Sequence, residues 1–296
     1  MIETLVNGLF LGALLSLVSL GLSVSYAVFR FPNFAHAEFV TVGAYGAWLG
    51  ATLAGGAEAP GEAALAGAVA ALLTVLIVIG MADTLVLRRL LARRGGAGVI
   101  IAAFALGLLL RNLVVLLFGP GEIAVERALE MAIPLWSAAP FDAARLTVTE
   151  WGLVGVALVL VRIAHLLQQR TGLGRSLRAV AENAELAEVC GIPVPRVRLA
   201  AWALAAAGCA AAGGALIMLG PVRPESGAEF MLPALAAVVV GGVRSVGGML
   251  LGALVIGMTE AVTVHLGLAE WRAVASFGVI VLVLVARPGG LRAGAL

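Results

Sequence analysis

The sequence predicts an all-α, polytopic membrane protein with eight to ten transmembrane helices, some of them broken or re-entrant. Three observations carry this. The 296 residues are 62% hydrophobic and only 12% charged, with a mean hydropathy of +1.09, whereas soluble domains are roughly a quarter charged. Apolar runs long enough to cross about 30 Å of hydrocarbon recur from end to end, leaving no room for a soluble domain of ordinary size. Glycine is abundant at 38 residues and often sits with alanine, as at 205–214 and 241–257, where small residues let helices approach closely in lipid. A single transmembrane domain, 1–296, is the resulting expectation.

The apolar runs fall at 5–29, 37–53, 63–87, 97–118, 151–167, 199–219, 231–243, 246–268 and 271–285. The first follows Glu3 rather than a basic segment and is longer than a secretory signal core, so it reads as a retained span. The run at 231–243 is too short for a full crossing, which predicts a broken or re-entrant element and leaves the number of crossings open. Positive loops stay cytoplasmic. Arg88, Arg89, Arg93 and Arg94 form one such cluster, and Arg170, Arg175, Arg178, Arg196 and Arg198 form another, within a cytoplasmic loop at about 170–198. The intervening loop, about 119–150, has Glu122, Glu126, Glu130, Asp142 and Glu150 against Arg127 and Arg145, and is expected on the periplasmic side.

Every basic side chain is arginine, because the chain contains no lysine. A Walker A loop needs its lysine for the β- and γ-phosphates, so ATP-driven work would require hydrolysis by another chain. Schiff-base chemistry is excluded for the same reason. His36, His165 and His265 have no metal-ligand spacing, and no nucleophile–base set or GxSxG elbow occurs. No cofactor or metal is expected on this chain, and nothing points to nucleic acid. Cys190 and Cys209 fit neither a disulfide framework nor a CxxC site and are expected to be inert packing residues.

Two polar interruptions stand out. In Arg30-Phe31-Pro32-Asn33-Phe34-Ala35-His36-Ala37-Glu38, Pro32 breaks the helix and frees backbone groups. Such groups are tolerated at membrane depth only where protein or a wet cavity satisfies them. The segment is either a broken helix beside a translocation path, offering Asn33, His36 and Glu38, or an ordinary cytoplasmic turn. In the second, residues 176–190 place Leu177, Val180, Ala181, Ala184 and Ala187 on one helical face and Arg178, Glu182 and Glu185 on another. Ser176 is the expected N-cap, and Gly191 with Pro193 and Pro195 the stop. A short amphipathic helix whose polar face mixes signs suits docking to a partner better than lying on the membrane. Arg111, Asp83, Glu260 and His265 interrupt apolar runs and are expected to pair inside the bundle or sit near its ends.

Asn7-Gly8-Leu9 with Gly12, Asn33-Phe34-Ala35-His36-Ala37-Glu38-Phe39 and Gly43-Ala44-Tyr45 resemble the beginning of branched-chain amino-acid ABC transporter permeases. Gly172-Leu173-Gly174-Arg175, Arg178 to Asn183 and Gly191-Ile192 resemble that family's cytoplasmic loop, and Ala236 to Gly242 with Ser245, Gly247 and Gly248 its late glycine-rich segment. Ala37 departs from the pattern, which has glycine there. The resemblance implies an inner-membrane permease in membrane lipid, paired with a second similar permease, two ATP-binding cassette subunits and a periplasmic substrate-binding protein. It also implies a coupling role for the cytoplasmic loop, through Arg178, Ala181, Glu182, Asn183, Ala184, Ala187 and Gly191. Relatives for urea and amides share much of the pattern, and an ion- or proton-coupled secondary transporter is the rival from another class.

Overall fold

The computed structural model describes residues 2–56, 60–91, 96–125, 133–134, 145–243 and 245–287. Arg93, Arg94, Glu126, Arg127, Glu130 and Asp142, which bear on the expected orientation, lie outside these. The helices are α1 (Ile2–Phe29), α2 (His36–Leu53), α3 (Pro60–Ala82), α4 (Arg88–Leu91), α5 (Gly96–Phe118), α6 (Val148–Arg170), α7 (Gly172–Glu182), α8 (Ala184–Val189), α9 (Val194–Leu219), α10 (Ser226–Glu229), α11 (Met231–Gly241), α12 (Val246–His265) and α13 (Arg272–Ala286). A π-helical turn, Asp83–Leu87, joins α3 to α4. A two-residue antiparallel pair, Ile133–Pro134 with Arg145–Leu146, is the strand structure among the described residues. Among the described residues, seven helical stretches are long and apolar enough to span a membrane. The nine apolar runs coincide with α1, α2, α3, α5, α6, α9, α11, α12 and α13 to within a few residues.

The helices start where local chemistry predicts. Thr147 and Glu150 form a reciprocal capping box on α6, and Ser245 accepts from Gly248 N to cap α12. Packing is then set by small residues. A methyl group added at Gly8 would meet Met258, and one at Gly12 would meet Leu254, so α1 and α12 lie antiparallel in near-backbone contact. Gly252 against Ala237, and Gly241 against Gly248, bring α11 onto α12 in the same way.

α1 runs through the middle of the bundle, buried on every side from Gly12 to Ser25 and touching α12, α9, α11 and α6. Its serines turn inward and satisfy themselves on backbone: Ser19 donates to Ala234 O at 3.3 Å, and Ser16 to Ala13 O at 2.7 Å. By contrast α5, α6 and α13 keep broad apolar faces outward, including Leu109, Leu116, Val159 and Leu282, as lipid-facing helices do.

The segment expected on the cytoplasmic side corrects two expectations. In place of one helix over 176–190 there are two, α7 and α8, separated by extended Asn183, whose side chain accepts from Leu186 N at 3.0 Å. Asparagine competes for its own backbone this way, so it ends one helix and caps the next. The N-cap of α7 is Thr171, not Ser176: its hydroxyl accepts from Gly174 N at 3.2 Å. Gly191 stops α8 as expected, at φ 82°, with Ile192 N donating to Ala187 O at 2.9 Å in the pattern of a left-handed C-terminal cap. Cys209 is buried, but Cys190 is exposed and does not pack in the core.

Candidate functional site

Two breaks in the helical scaffold meet. Arg30, at φ 58°, is the described non-glycine residue with left-handed backbone, a conformation unfavourable for a side chain with Cβ. It turns the chain out of α1, and residues 31–35 return through a bend and a turn, so α2 starts halfway up the bundle. The depth is fixed by neighbours: His36 lies between Val18 of α1 and Cys209 of α9, and Gly107, at the middle of α5, faces Ala35 and the Phe34 carbonyl. The segment is therefore a break at depth rather than a turn at the surface. The second break is at Phe230, where α10 ends and α11 begins. α10 is laid directly on the first turns of α2: Gly227 N donates to Thr41 Oγ1 at 3.1 Å, and a Cβ on Gly227 would stand 2.1 Å from Ala37 O.

All three residues expected along a path lie here, and all are buried. They are used differently. Asn33 Oδ1 accepts from Ala35 N at 3.2 Å and shapes the turn. His36 Nε2 is 2.8 Å from Val18 O, a contact made possible by Gly21, where a Cβ would come within 2.6 Å of His36 Cε1. Both act on backbone. Gly21→Leu should therefore displace His36, and a lower melting temperature of the solubilised protein, by several degrees, would show it. Glu38 instead pairs with Arg111 of α5, whose Nε donates to Oε1 at 3.1 Å and whose Nη2 donates to the same oxygen.

That pair is one rung of a ladder. α2 and α5 run parallel at a sequence offset of 73: Phe34 beside Gly107, Glu38 with Arg111, and Tyr45 on Phe118 with ring centroids 5.0 Å apart. Trp48 closes the top, edge-on to Phe118 and donating from Nε1 to Ala124 O at 3.1 Å. Above it the segments after α5 and α9 are joined by an antiparallel bridge, Ile123 to Val222, and by the exposed pair Arg223–Glu122. The sequence reading missed Arg111, Thr41, Tyr45 and Gly227 as members of this site. Spacing on α2 held a trace of it, since residues 38, 41 and 45 share one stripe, but the partner helices are distant in sequence.

The segment of α7 and α8 is tied to the same break. Arg30 Nε donates to Ala181 O at 2.8 Å and its Nη2 donates to Glu182 O, so a cation sits on the free carbonyls at the end of α7. The neighbouring Phe29 stacks on Trp202 of α9 at 4.5 Å, under the guanidinium of Arg198, which is 5.0 Å from the ring centroid. Arg198 in turn donates from Nε to both oxygens of Asp83, at 2.9 and 3.2 Å. Asp83 is thus paired, not isolated, and it opens the π-helical turn, where the extra backbone slack re-aims its side chain.

The apolar face of α7 and α8 does not await a partner. Leu177, Val180, Ala181 and Ala187 are buried against the chain's own helices α1, α6 and α9. Arg178 donates to Gln168 O and fastens α7 to the end of α6. The surface left outward consists of Glu182, Asn183, Ala184, Glu185 and Glu188 around two exposed apolar residues, Leu186 and Val189. Of the residues expected at a docking face, Ala184 is on this surface and Ala181 and Ala187 are beneath it. Glu260, on the far side of the bundle, accepts from Ser276 Oγ at 3.2 Å and links α12 to α13.

Comparison with known proteins adds to this geometry. Residues 4–284 match the family described as branched-chain amino acid transport system / permease component. The high-affinity branched-chain amino acid transport system permease protein BraD of Pseudomonas aeruginosa is 29% identical, over 98% of this chain and 95% of that protein. The corresponding permease protein LivH of Salmonella typhimurium is 26% identical, over 98% and 94%. Among solved structures, a metal-chelate type ABC transporter in an inward-facing conformation matches with a TM-score of 0.52 at 17% identity, covering 96% of this chain and 85% of that one. That likeness concerns the fold.

Proposed function

We propose that this chain, which belongs to the family of permease components of branched-chain amino acid transport systems, carries a small aliphatic amino acid across the inner membrane as the translocation subunit of an ATP-driven importer. The observation that carries the reading is the family match over nearly the whole length, 4–284. The absence of lysine agrees with it, since the energy must then come from ATP hydrolysed elsewhere. The subunit is a transporter component, not an enzyme. It works with two ATP-binding cassette subunits, a second similar permease and a periplasmic protein that delivers the substrate.

In this mechanism the ATPase docks on the outward surface of α7 and α8, and its closure on nucleotide displaces α7. Arg30 passes that movement to the break at 30–35, because its guanidinium holds the α7 carbonyls while its backbone terminates α1. The start of α2 and the Glu38–Arg111 rung then shift relative to α10, opening the passage to alternate sides. Arg30→Ala is expected to leave ATP hydrolysis intact while lowering substrate uptake about tenfold, since the link is broken but the docking surface is kept. Equal loss of both activities would place Arg30 outside the coupling route.

The reading as a whole is tested in vesicles. The chain reconstituted with its co-encoded ATP-binding subunits, second permease and binding protein should accumulate leucine only when ATP is supplied inside, and an uncoupler should have no effect. Accumulation driven by an ion gradient in the lone chain would replace this reading with a secondary transporter.

A further inference from the structure

An apolar groove of about 640 Å³ opens between α6 and α12, walled by Leu158, Val159, Leu250 and Leu251. That volume is in the range of ligand sites. Leu158, Val159 and Leu251 are each about half exposed, and both helices are long and apolar enough to span a membrane, so the groove faces lipid. Its direction follows from the neighbours. α12 runs antiparallel to α1, with Gly8 on Met258 and Gly12 on Leu254, while α6 runs with α1, because α7 follows α6 directly and receives Arg30 from the end of α1. α6 and α12 are therefore antiparallel. The His165 end of the α6 wall lies with Gly247, in the first turn of α12, and the Leu158 end lies with Leu251.

One end of the groove is thus polar and the other apolar. Arg162 stands toward the polar end, exposed and, among the described residues, without a hydrogen bond or ion pair. Eight residues, or roughly 12 Å of helix, separate it from Arg170 at the end of α6, and a long cationic side chain leans toward such an interface. An arginine on a lipid-facing helix is costly unless an anion meets it. Neither helix supplies one. Glu150 of α6 is held in the capping box twelve residues away, and Glu260 of α12 accepts from Ser276, nine residues beyond Leu251.

The counter-ion must then come from outside the two helices, and a ligand that brings an anion and also fills an apolar groove open to lipid is a phospholipid. A phosphodiester takes two parallel N–H donors from a guanidinium. Among the described residues no carboxylate lines the groove to receive an ammonium, so a headgroup of net negative charge fits better than a zwitterionic one.

We infer that the groove between α6 and α12 is a binding site for an anionic phospholipid, its phosphate on Arg162 and an acyl chain along Leu158, Val159, Leu250 and Leu251. The site needs the membrane and not the transported solute, so it is independent of what the permease carries. Because Arg178 fastens α7 to the end of α6, a lipid bridging α6 and α12 also braces the surface proposed for ATPase docking.

The assembled complex in detergent, titrated separately with phosphatidylglycerol and with phosphatidylcholine of the same acyl chains, tests this by native mass spectrometry and thermal melting. Phosphatidylglycerol should stay bound and raise the melting temperature, and phosphatidylcholine should bind about fivefold more weakly, the value of one charge near a membrane surface. Arg162→Gln should weaken phosphatidylglycerol about tenfold, yet melt at the wild-type temperature without added lipid, since its guanidinium has no partner in the chain. Gly247→Leu, which fills the groove and keeps the charge, should weaken both lipids. Arg88→Gln, an equal loss of charge on α4, should change neither. Equal phosphatidylglycerol binding by the wild type and Arg162→Gln overturns the site. So does stabilisation reproduced by inorganic phosphate alone, which would leave a free-anion site. Binding to the lone permease that disappears in the complex would overturn it too, making the groove a contact with the second permease.

Discussion

Glu38→Ala is expected to lower the stability of the solubilised permease by about 3 kcal/mol, the low end for breaking a buried ion pair because Arg111 is partly exposed. It leaves the Arg111 guanidinium facing α2 without its carboxylate. Replacing both residues with methionine removes the orphaned charge, and stability should return to near the wild-type value. Uptake should not return, because the rung that shifts against α10 in the transport cycle is gone. A thermal melt and a leucine uptake assay on the three proteins separate the two effects. Recovery of uptake in the double variant would reduce the rung to a structural pair.

The second large effect is expected on the opposite end of the molecule. Leu186 and Val189 are 59% and 84% exposed on α8, apolar groups that the chain itself does not cover. Leu186→Glu combined with Val189→Glu should release the ATP-binding subunit during purification and abolish ATP-dependent uptake, while the melting temperature of the permease stays within a degree or two. Desolvating two added carboxylates in an apolar contact without partners outweighs an interface hot spot of about 2 to 4 kcal/mol. Ala184→Glu, at the edge of the same surface, should act in the same direction with a smaller effect. An ATPase that still co-purifies with the double variant would move docking away from α8. Ala187→Glu is a different experiment, since Ala187 is buried, and its loss of function would report unfolding of the loop.

Much of the architecture was legible in the residues themselves. Each apolar run became a helix because length and hydropathy in lipid are local properties, settled by the segment's own need to bury its backbone. The stop at Gly191, the weakness at 231–243 and the break after Phe29 were legible for similar reasons. The relation of 38, 41 and 45 was visible as a stripe, but not what the stripe faced. α1 shows why: it is apolar all round, so nothing in its sequence distinguishes a helix at the centre of the bundle from one in lipid. α7 shows the converse. Its strong amphipathic pattern correctly separated an inner from an outer face, yet the inner face turned out to belong to the chain's own α1, α6 and α9.

The sequence by itself determined that this is a helical membrane protein with no lysine for a Walker A loop, and where its apolar helices lie to within a few residues, because these follow from composition and from short-range backbone chemistry. Only the tertiary structure decided which helix lies at the centre, how deep α2 begins, and that Glu38 pairs with Arg111. Those are choices among faces that lipid and protein solvate equally well. They are made by glycine-to-backbone contacts and buried ion pairs between residues as much as 250 positions apart, as Gly8 and Met258 are, and no local pattern encodes such distances.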